Sequence, residues 1–139
     1  MARPMRLALC AAALLAACAP APMVAPGTPG VCTSGTCFAE IDVQNCATGD
    51  LRVKPDTLIV KAPNTIQWTI NTAGFKFPAN NGIVVQGPGF GNPQVTGNGK
   101  KFLLFDDHTA IGTFKYTVNL VKESDGAACA PKDPFINNQ

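Results

Sequence analysis

Hydrophobic positions along this chain recur at every second residue rather than at every third or fourth. Between Phe38 and Val43, Ala39, Ile41 and Val43 fall on one face while Glu40 and Asp42 fall on the other, the period of a half-buried strand. Short apolar runs follow at Leu51–Val53, Leu58–Val60, Ile66–Ile70, Ile83–Val85, Phe102–Phe105 and across Gly112–Val121. Pro-Asp, Pro-Asn and Asn-Gly pairs punctuate them and supply turn dihedrals. No stretch sustains a helical period, and 13 glycines and 12 prolines oppose one. The expected fold is an all-β, Greek-key β-sandwich of seven to eight strands. Trp68 sits mid-strand with Ile66 and Ile70 on its face and belongs to the core. Phe77-Pro78 should turn the chain at a sandwich edge. Residues 87–99 hold five glycines and two prolines and read as a long mobile loop, the kind of segment that carries binding residues. Phe90, between Gly89 and Gly91, is the candidate recognition residue, with a buried anchor as the competing role.

The N-terminus breaks this pattern. Arg3 and Arg6 precede an unbroken apolar run from Leu7 to Ala17, the charge and length of a signal peptide and too short for a membrane span. Leu15-Ala16-Ala17-Cys18 resembles the bacterial lipobox, in which the cysteine thiol receives a diacylglycerol before cleavage in front of it. By that resemblance residues 1–17 are removed and Cys18 becomes a lipidated N-terminus, anchored by acyl chains at about 0.8 kcal/mol per buried CH₂. The competing reading is an ordinary secretion signal with an incidental cysteine. Ala19 after the cysteine resembles the outer-membrane sorting pattern; the expected place of the domain is the periplasm, with the cell surface as the alternative. Residues 18–30 then form the lipidated Cys and a Pro/Ala-rich tether, extended by about 3.1 Å per residue where polyproline-like. Residues 31–139 are one domain's length and can bury a core.

Loss of Arg3 and Arg6 leaves nine basic residues against nine acidic ones. A neutral, scattered charge distribution offers no electrostatic footprint for nucleic acid. Six cysteines become four once Cys10 leaves and Cys18 takes lipid. Cys32, Cys37, Cys46 and Cys129 are an even set in an oxidising compartment, so two disulfides are expected. Three connectivities are open; the favoured one pairs Cys32 with Cys37 locally and Cys46 with Cys129 over a long loop. A zinc site is the alternative; it needs thiolates at CxxC-like spacing and usually a reducing compartment.

The segment "LRVKPDTLIVKAPNTIQWTI" resembles the opening strands of the cupredoxin fold, and "GTFKYTV" resembles its penultimate strand, which leads into the copper loop. With "NC", "GFKFPANNGI" and a closing "DPFINN", the pattern is also similar to small exported proteobacterial proteins. The resemblance implies a cupredoxin-like sandwich over roughly residues 36–122. It also implies where copper ligands would stand, because type 1 copper takes two histidines, a thiolate and usually a methionine. The thiolate position falls on Val118, the second histidine near Val121 and the methionine near Gly126. The mature chain's methionine, Met23, lies in the tether. The resemblance therefore carries the scaffold without its copper site, and no cofactor is expected.

Other chemistry is sparse. The sole histidine, His108, lies in Asp106-Asp107-His108-Thr109; a polar turn is the plain reading and a non-standard metal site the alternative. Ser34 and Ser124 lie in no G-x-S-x-G elbow. Glu40 and Asp42 share a strand face, which suits carboxylate-pair hydrolysis in principle and a solvated strand face in practice. Gly87-Pro88-Gly89-Phe90-Gly91 lacks the lysine and following helix of a phosphate loop. The expected protein is thus a non-enzymatic outer-membrane lipoprotein whose periplasmic domain binds or supports an envelope protein or glycan. Metal handling at His108 is the second expectation, and glycan or peptide binding by the 87–99 loop the third.

Overall fold

The computed structural model describes residues 30–139. Cys10, Cys18, Met23 and the signal and tether up to residue 29 lie outside the described residues. The described chain forms β1 (Gly30–Cys32), β2 (Gly35–Asn45), β3 (Asp50–Lys54), β4 (Thr57–Val60), β5 (Asn64–Ile70) and β6 (Phe75–Lys76). These are followed by β7 (Ile83–Val85), β8 (Phe90–Thr96), β9 (Lys101–Asp106), β10 (Gly112–Val118), β11 (Val121–Lys122) and β12 (Phe135–Asn138). Two five-stranded mixed sheets pack face to face as a β-sandwich, ordered β1-β4-β12-β10-β7 and β3-β2-β5-β9-β8, while β6 and β11 form a small ribbon.

The alternation read from the sequence sets the packing. Ala39, Ile41, Ile66, Trp68, Phe102 and Leu104 point inward from the second sheet, and Leu58, Val60, Tyr116, Val118 and Ile136 from the first. Trp68 is fully buried; its ring centroid lies 5.4 Å from Tyr116 and 6.4 Å from Phe102. Trp68 Nε1–H donates to Tyr116 Oη at 3.3 Å, so one hydrogen bond crosses the sandwich and gives each buried polar tip a partner. Burial also pushes the Tyr116 phenol well above its ordinary pKa, which keeps it neutral.

Every strand expected from an apolar run is present, and the structure adds strands in segments with no such run. Residues 87–99 are not a mobile loop. They contain β8, an edge strand antiparallel to β9, and a 3-10 turn at Gly97–Gly99. Glycine and proline hid it, yet an edge strand tolerates both: Pro93 falls in the register break between Gly91 and Gln94, where no ladder N–H is required. Gly89 turns into the strand with φ +87, a conformation suited to glycine. The 112–121 run divides after Val118, and Val121–Lys122 pairs with β6 instead. The closing "FINN" becomes β12, slotted between β4 and β10. Phe77 follows β6 into the core and meets Phe102 edge-on at 5.6 Å.

Both disulfides form as favoured. Cys32–Cys37 ties β1 of the first sheet to β2 of the second, and Cys46–Cys129 spans a sequence separation of 83 residues.

Candidate functional site

The residues singled out in the sequence do not converge on one site. Phe90 is half-buried, packs on the core and meets Phe114 edge-on at 5.3 Å. It takes the anchoring role that competed with recognition. Asp106, Asp107 and His108 are adjacent in sequence and diverge in space. Asp107 accepts the Thr109 hydroxyl at 2.7 Å and the Thr109 N–H at 2.9 Å, and these bonds hold its carboxyl below the usual range. His108 adopts φ 56 and places Nε2 3.1 Å from the Val60 carbonyl oxygen. Asp106 turns into the protein. Among the described residues no group of three or more His, Cys, Asp or Glu is placed to hold a metal ion.

Asp106 belongs instead to a buried polar junction between the sheets. Its Oδ1 accepts the His108 N–H at 2.9 Å and the Asn138 side-chain amide at 3.2 Å. Asn64 sits opposite it in the β5–β9 register. Burial is the largest influence on this carboxyl and pushes its pKa up, against the lowering effect of the His108 and Asn138 hydrogen bonds. Asp106 Oδ2, Asn64 Oδ1 and Asn138 Oδ1 have no partner in the protein. At the other end of β10, Val118 and Leu120 are buried apolar residues, so the position where the resemblance places a thiolate is core.

The outer face of the second sheet carries the most distinctive exposed surface. Two cross-strand rows follow from the register. One runs Thr36–Thr65–Phe105–Gly91 over β2, β5, β9 and β8; the next runs Phe38–Gln67–Leu103–Gln94. These eight positions carry no charge. Phe38 is 62% exposed and Phe105 39%, on a face whose neighbours are hydroxyls and amides. Gly91 stands opposite Phe105 and a Cβ there would touch nothing within 4 Å, so the ring has no side chain over that flank. Gln67 Nε2 donates to Thr69 Oγ1 at 3.3 Å, which lays the amide along its strand. Charges begin in the following rows, with Glu40, Asp42, Arg52, Lys54 and Lys101: Lys54 Nζ lies 3.0 Å from Asp42 Oδ2, and Asn71 Nδ2 donates to Glu40 Oε2 at 3.3 Å. Glu40 and Asp42, the carboxylates that share a strand face, are thus engaged by lysine and asparagine.

Phe38 also lines an open cleft of about 300 Å³ with Val31, Thr33, Ser34, Thr36, the Cys32–Cys37 disulfide and Leu58. The cleft lies where β2 runs past the end of β3, which pairs only with Glu40–Asn45. Its lining is uncharged, as the strip is.

Sequence reasoning missed this surface. For Phe38 the signal was present: the alternation that sends Ala39 and Ile41 inward sends Phe38 outward beside Glu40. For Phe105 it was not, because Phe102-Leu103-Leu104-Phe105 is apolar throughout and only the ladder with β5 reveals its phase. No protein-family model matches the chain, and no curated protein matches it closely enough to count as a relative.

Proposed function

We propose that this chain is a lipid-anchored envelope protein: Cys18 carries the lipid, the tether ends near residue 30, and the sandwich is a non-catalytic binding module facing the periplasm from the outer membrane. The observation that carries the reading is the cysteine pairing. All four cysteines of residues 30–139 are consumed by two disulfides, which supports folding in an oxidising compartment and fits the lipobox upstream. The cupredoxin-like resemblance is taken as one of scaffold, with Val118 filling core space where that family places its thiolate. A binding role is supported by the uncharged strip and cleft around Phe38.

The test is metabolic labelling with a radioactive fatty acid, followed by fractionation. The wild-type chain should take up label and sediment with outer membranes. Cys18→Ser should lose the label and leave the membrane fraction. A wild-type chain that is unlabelled, or a variant that keeps its label, overturns the anchor.

A further inference from the structure

The outer strip and the adjoining cleft are continuous through Phe38, and this continuity narrows the partner. Phe38 and Phe105 lie two strands and two residues apart in register, about 12 Å by strand geometry. Thr65 and Gln67 of β5 lie between them. The surface is therefore two partly exposed phenyl rings separated by a hydroxyl and an amide, opening at one end onto the hydroxyls of Thr33, Ser34 and Thr36.

Charge complementarity excludes most partners. An uncharged strip offers nothing to the phosphates of nucleic acid or anionic lipid. A peptide adding as a strand needs an open sheet edge, and both edges of this sheet are blunted. β3 carries Asp50, Arg52 and Lys54, and β8 carries Pro93 at its register break. A stable protein partner needs about 800 Å² per side with a desolvated apolar centre, and two separated phenyl rings with half-buried Leu103 do not make one. A pyranose has the complementary chemistry. Its C–H faces carry partial positive charge that sits on the negative face of a phenyl ring, and its equatorial hydroxyls meet amides and hydroxyls at the rim.

We propose that the Phe38–Phe105 strip and the cleft beside it bind a neutral glycan of linked pyranoses, one sugar ring on each phenyl and the chain end in the cleft. The proposal rests on the domain being a binding module and does not depend on the lipid anchor. The fatty-acid experiment can fail without touching it, and the converse holds too.

The experiment titrates the full chain, disulfides formed and in a polyoxyethylene detergent that carries no sugar, with two probes: the β-1,4-linked tetramer of N-acetylglucosamine and the α-1,4-linked tetramer of glucose. Aromatic ring resonances and calorimetry give the readouts. Saturable binding of either tetramer should move the Phe38 and Phe105 ring signals and leave Phe114 unmoved. Phe38→Ala and Phe105→Ala should each weaken binding by about tenfold, with the thermal midpoint unchanged for Phe38→Ala, whose side chain is mostly exposed, and lowered for Phe105→Ala, whose ring is more than half buried. Gly91→Leu, which covers Phe105 from across the ladder without removing a ring, should weaken binding as well. Three results overturn the proposal: neither tetramer binding at millimolar concentration, affinity surviving in the double phenylalanine variant, or the same rings shifting with protein concentration alone, which would make the strip a self-association surface.

Discussion

Removing the two disulfides one at a time separates chain topology from local packing. In the chain-entropy description a crosslink stabilises by restricting the unfolded ensemble, and the effect grows with the logarithm of the loop it closes. The sequence separations of 5 and 83 residues then correspond to about 2 kcal/mol for Cys32–Cys37 and about 4.5 kcal/mol for Cys46–Cys129. The absolute values also carry the cost of trimming each sulfur to a methyl group. The four cysteines are 4 to 9% exposed, so that cost is alike for both pairs and cancels in the comparison. The expected result is that Cys46→Ala/Cys129→Ala loses about 2.5 kcal/mol more stability than Cys32→Ala/Cys37→Ala. Trp68 is the single tryptophan and fully buried, so its fluorescence reports urea unfolding of each variant. Equal losses, or a larger loss for the Cys32 pair, would refute the entropic reasoning. They would show that the first bridge matters by holding β1 and β2 together in the native state.

Three further outcomes follow from the buried polar groups and from Phe90. Asp106 has a folded-state pKa above its unfolded value, so the folded protein binds more protons in between. Its contribution therefore favours folding below the unfolded pKa, about 3.9, declines as pH rises toward the folded value and stays lost above it. Asp106→Asn keeps an acceptor for the His108 N–H, so it should gain stability over wild type as pH rises from 4 to neutrality; a constant difference across that range in urea melts counts against this. Tyr116→Phe strands the Trp68 N–H in the core and should cost about 1–3 kcal/mol, read by the same melts. Phe90→Ala should loosen β8 against Phe114, seen as faster hydrogen exchange at amides of β8 while β5 amides stay protected.

What the sequence disclosed follows from how strongly each segment is pinned by burial. β2 and β5 are read correctly because each has one buried and one solvated face, and the alternation of Ala39 and Ile41 with Glu40 and Asp42 survives in composition. β8 is lost because its pairing is made by backbone groups, to which Gly91, Asn92 and Pro93 contribute no pattern. β12 is lost because a four-residue strand between two others is set by its neighbours, not by its own period. The favoured disulfide pairing needed only compartment and spacing. The strip around Phe38 needed the register of three ladders, and that information is tertiary.

The placement of polar groups explains why a binding face is the most open chemistry this sandwich has. One end of β10 is closed by apolar core around Val118 and Leu120. The other end is closed by the Asp106–Asn138 bridge, whose side chains are almost fully buried and act between the sheets, not toward solvent. With both ends occupied structurally, the outer face of the second sheet is where Phe38 and Phe105 stay exposed. On the second sheet's outer face Lys54 pairs with Asp42, and beside these charged rows lie the eight uncharged positions that run from β2 to β8. A phenylalanine at position 38, 62% exposed, contributes little to folding, since an exposed phenyl forgoes the 1.5–3 kcal/mol or so that burial would supply. Its neighbours Cys37 and Ala39 show that the strand could pack equally well with a polar residue there. The side chain is therefore free to serve recognition, and Phe38→Ala separates the two roles: it should leave the melting curve in place while removing the ligand.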